Sequence, residues 1–284
     1  MTNPTPTAPV RGAGQPIAIL DNLAEIEKRV AEASRLAIFL DFDGTLSPIV
    51  SNPEDAQLGP QLRPILQELA GRDDISIAVI SGRALTDVRQ RVGIDGLVYA
   101  GNHGLEAESD SVSYRNPEAE ALRRELKCTL LQLKLALSET DGLEIEDKGL
   151  TLAVHFRRVT EHLHDWVRSV TFGSVGRSRS FHCQEGKLVI DIKPQIEWNK
   201  GYAIQWILKE VLSSEALPIY IGDDVTDEDA FAAIREGITI RVGDSIETEA
   251  QYTLPDVASV AQFLNWLNHA KPHESLATSQ RATR

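Results

Sequence analysis

The feature that most constrains this 284-residue chain is a short apolar run that ends in two aspartates. The stretch LAIFL, residues 36–40, predicts a strand buried on both faces, as in a parallel sheet covered by helices. Asp41 and Asp43 follow at once, and Gly44 favours a turn. Two carboxylates this close repel each other and lose solvation on burial, so a cation, hydrogen bonds or a reaction must offset that cost. The run therefore predicts a functional site at the end of this strand.

Buried strands alternate with helices at both ends of the chain. The apolar strands are LAIFL (36–40), ISIAVI (75–80), LPIYI (217–221) and the strand within GITIRVG (237–243), and a shorter one lies within 96–106. Helical patterns separate them, and the last helix spans about 257–267. This alternation predicts an α/β fold with a doubly wound parallel sheet.

The middle of the chain has a different pattern. A long helical pattern, 117–138, precedes two pairs of alternating strands, which are 143–148 with 150–157 and 178–184 with 187–193. The short joints at Lys148-Gly149 and Glu185-Gly186 indicate hairpins, and hairpins mean antiparallel pairing. We therefore expect an inserted α+β cap domain, 110–195, within a core made of 21–109 and 196–270.

Both termini lack the pattern of a folded segment. The first residues are rich in Pro, Thr and Gly and lack the apolar core of a signal peptide. We expect a disordered leader, 1–20, and a disordered tail, 271–284.

The net charge argues against nucleic-acid and membrane partners, and the cysteine content argues against a cysteine-ligated metal site and disulfides. The net charge is −13, and acidic surfaces repel nucleic acids and anionic membranes. No apolar run reaches membrane-spanning length. The two cysteines, Cys128 and Cys183, form no metal-binding spacing and no disulfide framework. We expect a cytoplasmic monomer that acts on a small molecule.

Three predicted strands end in polar groups suited to a phosphate and a cation. Asp41 and Asp43 end the first, Ser81 ends the second, and Asp223 follows the strand LPIYI. Ligands of parallel sheets bind beyond the carboxyl ends of the strands, so these groups should meet. Carboxylate oxygens are hard ligands that select Mg²⁺, which also bridges phosphate oxygens.

The motifs DFDGTL, Ser81, Lys200 and GDDVTD resemble the four signatures of the haloacid dehalogenase superfamily of phosphatases, in the same order. The resemblance implies that Asp41 is the nucleophile and that Asp43 is the general acid and base. Ser81 and Lys200 would hold the phosphoryl oxygens. The implied Mg²⁺ ligands are Asp41, Asp43 through its backbone carbonyl, Asp223 and Asp224.

The charged residues near these motifs differ in how well a structural role explains them. Lys200 lies in the first turn of a helix, where the helix dipole disfavours a cation, so a functional role is favoured. Thr226 with Asp229 fits a capping box, and acids favour a helix start, so Asp227 and Asp229 have a structural explanation.

Strand alternation in the cap suggests what it contacts. Within 187–193, Lys187, Asp191 and Lys193 share one face, opposite an apolar face. A face with both cations and an acid suits a polyhydroxylated anion. A solvated sheet face is the alternative.

Four further stretches resemble the trehalose-6-phosphate phosphatase family, from about residue 36 to 267. They are GNHGLE (101–106), EDKGLTLAVHFR (146–157), GKLVIDIKP (186–194) and GDDVTDEDAF (222–231). The resemblance implies hydrolysis of trehalose 6-phosphate, with specificity set by a closing cap. The implied substrate-binding residues are Gly82, Arg83, His103, Glu106, Arg157, Lys187, Asp191 and Lys193. The family usually has Glu at the position of Asp191.

Three alternatives remain open. One is a phosphatase for another sugar phosphate, such as sucrose phosphate or mannosylphosphoglycerate. The second is an inert sugar-phosphate sensor, which the presence of Asp41, Asp43 and Asp223 disfavours. The third is a nucleic-acid phosphatase, which the acidic charge disfavours.

Overall fold

The structure is a computed structural model that describes residues 16–176, 178–244 and 247–271. The strands are β1 (Ile17–Ala18), β2 (Leu36–Leu40), β3 (Ile75–Ile80), β4 (Val98–Gly101), β5 (Glu106–Glu108), β6 (Ser113–Arg115), β7 (Glu144–Asp147), β8 (Leu152–His155), β9 (Phe181–Gly186), β10 (Val189–Pro194), β11 (Leu217–Gly222), β12 (Ile238–Val242) and β13 (Tyr252–Leu254). The helices are α1 (Leu23–Glu32), α2 (Leu62–Ala70), α3 (Leu85–Val92), α4 (Pro117–Ala136), α5 (His164–Val175), α6 (Lys200–Glu210), α7 (Glu228–Ala233) and α8 (Val257–Ala270). None of these helices is both long and apolar enough to cross a membrane.

The larger of two sheets has nine strands in the order β1-β13-β12-β11-β2-β3-β4-β5-β6. The strands from β1 to β4 in that order pair in parallel, and β5 and β6 extend one edge as antiparallel strands. Helices cover both faces, because separate apolar clusters fill the two sides. The predicted α/β fold with a doubly wound parallel sheet is confirmed.

Strand β2 lies in the middle of this sheet and is buried along its whole length. Leu36, Ile38 and Leu40 belong to the apolar cluster that includes α2 and α8. Ala37 and Phe39 belong to the cluster on the opposite face, with α6 and α7. An uninterrupted apolar run is required because both faces are covered. The first polar side chain after this run is Asp41, which lies just beyond the carboxyl end of β2.

The second sheet is antiparallel, with the order β7-β8-β10-β9, and the chain forms it between β6 and α6. Helices α4 and α5 pack on one face, over buried side chains such as Leu152, Val154, Ile190 and Ile192. The inserted α+β segment predicted from the hairpins is therefore confirmed as part of the fold. We call this unit the cap and the nine-stranded unit the core.

The structure differs from three local expectations. Residues 17–20, expected in the leader, lie in β1 and in a 3-10 helix that ends at Asp21, because Ile17 pairs beside Tyr252 and Ile19 is buried. Strand β6, expected in the cap, pairs with β5 and so belongs to the core sheet. The second cap hairpin turns at Lys187-Leu188, two residues later than expected, where Leu188 has a φ of 63°. Residues 1–15 of the predicted leader and 272–284 of the predicted tail lie outside the described residues.

Candidate active site

The site lies at the carboxyl edge of the core sheet. Strands β11, β2 and β3 are direct neighbours. They are followed immediately by Asp223, Asp41 and Ser81, so the parallel strands bring these groups together as predicted. Asp41 and Ser81 are buried, and Asp223 is partly buried.

Lys200 joins the centre of the site through a buried cluster of ion pairs. Its Nζ lies 2.6 Å from Asp41 Oδ1 and 2.6 Å from Asp227 Oδ1. The Tyr220 hydroxyl donates to the same Asp227 oxygen at 2.6 Å. Burial alone lowers the pKa of Lys200, but Asp227 and Asp41 outweigh it and hold the pKa above its usual value. The ammonium group is therefore charged, and it fixes the Asp41 carboxylate at the end of β2.

Three carboxylates crowd around this single cation. Oxygens of Asp41, Asp223 and Asp227 lie within 4.8 Å of one another. Burial, followed by repulsion from Asp227 and Asp223, raises the pKa of Asp41 well above its usual value even though Lys200 lowers it. Burial and the neighbouring carboxylates of Asp227 and Asp224 raise the pKa of Asp223 to about 7. The carboxylates thus repel one another, and Lys200, with Arg241 acting on Asp223, offsets this repulsion only in part.

The same cluster fits a divalent metal ion. Asp223 Oδ1 is buried and has no hydrogen-bond partner among the described residues. Both oxygens of Asp227 are engaged, by Lys200 and Tyr220 on one and by the Asp224 N–H on the other. Carboxylates of Asp41 and Asp223 are therefore the best-placed metal ligands, and oxygen donors suit a hard cation such as Mg²⁺.

Gly44 is required because the backbone passes directly against Asp223. Its φ is +78°, and a Cβ atom there would lie 1.9 Å from Asp223 Oδ2. We expect Gly44→Ala to displace the Asp223 carboxylate and to weaken Mg²⁺ binding at least about tenfold, the usual cost of disturbing a ligand's support. Titration calorimetry of Mg²⁺ into the protein measures this.

Gly96→Ala is the matched control for that substitution. Its φ is +80°, but among the described residues no heavy atom beyond its two chain neighbours lies within 4 Å of the position of the added Cβ. Both variants therefore acquire the same left-handed backbone strain, about 1–2 kcal/mol. Equal Mg²⁺ affinity in the two variants would show that Asp223 is not a ligand.

Arg83 binds Asp43. Its Nε and Nη2 donate to the two oxygens of Asp43, each at 2.7 Å, and Nη1 donates to Asp87 at 2.9 Å. Nη2 also donates to the Pro53 carbonyl. We expected Arg83 to bind substrate, but in this structure all three of its nitrogens are engaged by protein groups. The arginine instead fixes the position of Asp43.

Asp224 has a structural role in this structure. Its side chain accepts from the Val225 N–H at 2.7 Å. The Asp224 side chain also accepts from the Asp227 N–H, and the Asp227 side chain accepts from the Asp224 N–H. This second, reciprocal pair is a capping box for the 3-10 helix Val225–Asp227. The expected box of Thr226 with Asp229 is wrong. Asp224 is exposed and lies outside the carboxylate cluster, so its expected place among the metal ligands has no geometric support.

A bridge connects the cap to the Ser81 loop. Lys148 Nζ lies 3.2 Å from the Gly82 carbonyl oxygen and 3.2 Å from Asp191 Oδ1. Asn102 Nδ2 donates to the Lys148 carbonyl at 2.9 Å, and the Thr151 hydroxyl donates to Asn102 Oδ1 at 2.5 Å. The expected substrate residues Gly82 and Asp191 are therefore joined through Lys148.

Three other expected substrate residues lie apart from the carboxylate cluster or are already bonded. Glu106 Oε1 accepts from the Leu85 N–H and from Asn102 Nδ2, so it supports the 102–105 loop. Arg157 is exposed and donates to the Lys187 carbonyl at 3.2 Å. Lys187 is exposed at the hairpin turn.

The two remaining candidates, His103 and Lys193, line a cavity of about 410 Å³ between core and cap. Lys193 Nζ donates to Gln184 at 2.7 Å. Burial, with Lys148 and Lys200 nearby, lowers the pKa of Lys193 to about 8, although Asp191 and Asp224 act against this. Burial, followed by the cations Lys193, Lys200 and Lys148, lowers the pKa of His103 well below its usual value.

Sequence reasoning missed parts of this site. Tyr220 supports Asp227 from inside the strand LPIYIG, and a hydroxyl in an apolar strand is a signal that a buried partner exists. Lys148 lies at the predicted hairpin joint and in the motif EDKG, and neither indicates its contacts with Gly82 and Asp191.

The family model described as trehalose-phosphatase matches residues 39–258 of this chain. The chain belongs to the trehalose-phosphatase family. The matched span runs from β2 to the start of α8, so it includes the carboxylate cluster and the cap.

The curated relatives are longer than this chain. The trehalose-phosphate phosphatase of Mycobacterium tuberculosis (strain ATCC 25618 / H37Rv) is 38% identical over 245 residues, which cover 83% of this chain and 62% of that protein. A protein of the same strain, described as an uncharacterized glycosyl hydrolase, is 39% identical over 251 residues, which cover 84% of this chain and 19% of that protein. This chain thus spans less than two thirds of the length of either relative.

Solved structures share the fold over most of the chain. A structure described as a trehalose-6-phosphate phosphatase related protein has a TM-score of 0.72 and 26% identity, covering 82% of this chain and 97% of that one. The structure of the C-terminal domain of C. albicans trehalose-6-phosphate phosphatase has a TM-score of 0.74 and 22% identity. The match covers 91% of this chain and 99% of that one. A haloacid dehalogenase-like hydrolase from Bacteroides thetaiotaomicron has a TM-score of 0.61 and 14% identity. The match covers 82% of this chain and 99% of that one.

Proposed function

We propose that this protein hydrolyses trehalose 6-phosphate to trehalose and phosphate, with Mg²⁺ and through an aspartyl-phosphate. The observation that carries the proposal is the Asp41 carboxylate, which Lys200 fixes at the end of a central strand. Beside it lies an Asp223 oxygen for which the described part of the chain offers no hydrogen-bond partner. Membership of the trehalose-phosphatase family and the names of the relatives support the substrate.

Asp41 is the nucleophile in this proposal. One of its oxygens forms a bond to phosphorus while the bond from phosphorus to the sugar oxygen breaks. A carboxylate nucleophile divides the hydrolysis into two easier displacements. Phosphoryl transfer is mostly positioning and charge stabilisation, so the fixed ammonium group of Lys200 holds the nucleophile and balances its charge. Ser81, at the end of the adjacent strand, would hold a phosphoryl oxygen.

Asp43 transfers the protons. It gives a proton to the leaving sugar oxygen in the first step. In the second it takes a proton from the water that attacks phosphorus, while the bond from phosphorus to the Asp41 oxygen breaks and phosphate leaves. Arg83 holds both oxygens of Asp43 and so sets where this exchange occurs. A divalent cation bound by Asp41 and Asp223 would supply the positive charge that lets a carboxylate approach a phosphate.

The wider proposal covers partners and location. We propose a monomer in the cytoplasm that binds neither nucleic acid nor membrane, which the net charge of −13 supports. We also propose that the four-stranded unit closes over the site as a cap, since Lys148 already joins it to the Gly82 carbonyl.

Phosphate release from a panel of sugar phosphates tests this proposal. We expect trehalose 6-phosphate to exceed glucose 6-phosphate and sucrose phosphate in kcat/KM by about 100-fold or more, as for sites that hydrogen-bond substrate hydroxyls. EDTA should abolish release, and Mg²⁺ should restore it. Equal cleavage of all three would contradict the proposed substrate. No Mg²⁺-dependent release from any of them would favour the inert sensor.

A further inference from the structure

A carboxylate in the first turn of α3 connects to the site through Arg83. Asp87 Oδ2 accepts from Arg83 Nη1 at 2.9 Å, and the other edge of the same guanidinium holds both oxygens of Asp43. Arg83, Asp87 and Arg91 follow one another at intervals of four residues, a spacing that brings side chains together along one face of a helix. One acid therefore lies between two arginines.

Asp87 has a simpler explanation, because an acid in the first turn of a helix faces the positive end of the helix dipole. The dipole does not account for its contacts. Arg91 Nε lies 2.8 and 2.9 Å from its two oxygens, and one of these oxygens also accepts from Arg83. Burial raises the pKa of Asp87, but the hydrogen bonds from Arg91 and Arg83 outweigh it and hold the pKa below its usual value. The carboxylate is therefore ionised near neutral pH and binds both guanidinium groups.

Arg91 anchors Asp87 to the loop that follows Asp43. Its side chain is 17% exposed, and its Nη1 donates to the carbonyls of Glu54 and Ala56 at 2.9 and 2.7 Å. The Pro53 carbonyl, which accepts from Arg83 Nη2, belongs to the same loop. Charged hydrogen bonds of this kind are among the stronger ones in proteins. The position of Asp87 is therefore set independently of Asp43.

The guanidinium of Arg83 transmits this position to Asp43. The group is planar and its donors form a rigid fork, so fixing one nitrogen sets the direction of the others. With Nη1 turned to Asp87, the edge formed by Nε and Nη2 faces Asp43, at 2.7 Å to each oxygen. The Phe42 ring lies against the guanidinium, with Cζ 5.5 Å from the ring centroid. Loss of the Asp87 carboxylate would remove one of the supports that aim this edge.

We propose that Asp87 is a positioning residue for proton transfer, which acts through Arg83 to place the Asp43 carboxyl group. This inference rests on the proposed function, in which Asp43 gives a proton to the leaving sugar oxygen as Asp41 bonds to phosphorus. A sugar alkoxide is a poor leaving group and needs that proton, whereas p-nitrophenolate leaves without one. A displaced Asp43 should therefore slow cleavage of the sugar ester more than cleavage of the aryl ester.

The kinetic test compares Asp87→Ala with Glu108→Ala in the full chain. Glu108 is the matched control, because its side chain is 40% exposed and pairs with Arg89 of the same helix. We expect Asp87→Ala to lower kcat/KM for trehalose 6-phosphate about 30-fold or more, with kcat/KM for p-nitrophenyl phosphate within about threefold of wild type. Asp87→Glu keeps the carboxylate and should recover most of the loss, and Glu108→Ala should retain both activities.

Nuclear magnetic resonance tests the positioning without catalysis. Arg83 Nε–H donates to Asp43, and its resonance is assigned as the one missing from Arg83→Lys. We expect this resonance to shift or broaden in Asp87→Ala and to stay unchanged in Glu108→Ala. An unchanged resonance in Asp87→Ala would overturn the inference whether or not the protein hydrolyses a sugar phosphate.

Asp43→Asn separates a failure of this inference from a failure of the proposed function. If Asp43→Asn loses mainly the sugar ester while Asp87→Ala loses both esters equally, Asp87 has only a structural role and the inference is wrong. If Asp43→Asn also loses both equally, the acid role of Asp43 fails, and the inference fails with it. Should Asp87→Ala not fold, Asp87→Asn, which keeps the shape without the charge, takes its place in both measurements.

Discussion

Asp41→Asn is expected to reduce phosphate release by about 10⁴-fold or more, the scale seen when a catalytic nucleophile is removed. The amide has nearly the same shape as the carboxylate but cannot form the bond to phosphorus. Stability should not fall, because the change removes one of three crowded carboxylates around Lys200. Steady-state kinetics with trehalose 6-phosphate and thermal unfolding of the metal-free protein measure the two effects.

Asp224→Asn is the matched control for the nucleophile. It makes the same chemical change in a carboxylate that the structure places outside the cluster, exposed and capping a 3-10 helix. Asparagine also caps well, so activity and stability should change little. An Asp224→Asn loss as large as that of Asp41→Asn would restore Asp224 as a metal ligand. Activity retained by Asp41→Asn would place the nucleophile elsewhere.

The core of this site was predictable because parallel strands bring distant residues together by simple geometry. Apolar runs locate β2, β3 and β11, and the carboxyl ends of parallel strands meet at one edge. The residues that follow them, Asp41, Ser81 and Asp223, are therefore neighbours whatever the loops do. The carboxylates and the hydroxyl among these residues then indicated a site for a cation and a phosphate.

The sequence could not show which of several nearby acids enters the cluster. Asp224 and Asp227 both lie in GDDVTD, and the turn of the 3-10 helix decides that Asp227 points inward to Lys200 while Asp224 caps. Arg83 is a similar case. Its binding to Asp43 depends on where α3 begins relative to β2, which a motif does not record.

The positions of individual residues were harder to predict in the cap than in the core. A hairpin fixes its register through the turn, and a shift of two residues moved Lys187 from the strand to the exposed turn. Two residues that line the cavity between core and cap, His182 and Trp198, carried no motif, so only the folded chain shows where they lie.

Lys200→Met is expected to lower both activity and stability. Its Nζ is the cation between the buried carboxylates of Asp41 and Asp227. Breaking a buried ion pair by removing one partner usually costs about 3–5 kcal/mol, because a charge is left buried without compensation. The nucleophile also loses the group that fixes it, so kcat should fall about 10³-fold or more. Urea unfolding and steady-state kinetics measure the two losses.

Lys209→Met is the matched control, because it removes the same group from the same helix at a position whose side chain is 78% exposed. Its ion pair with Glu210 is at the surface, where solvent screens the two charges, so the pair contributes little to stability. If Lys200→Met were as stable as Lys209→Met, the carboxylates would not depend on Lys200 for their burial. If Mg²⁺ then restored stability to Lys200→Met but not its activity, the metal and the lysine would share the task of balancing charge. The lysine alone would then be responsible for holding Asp41 in position to attack.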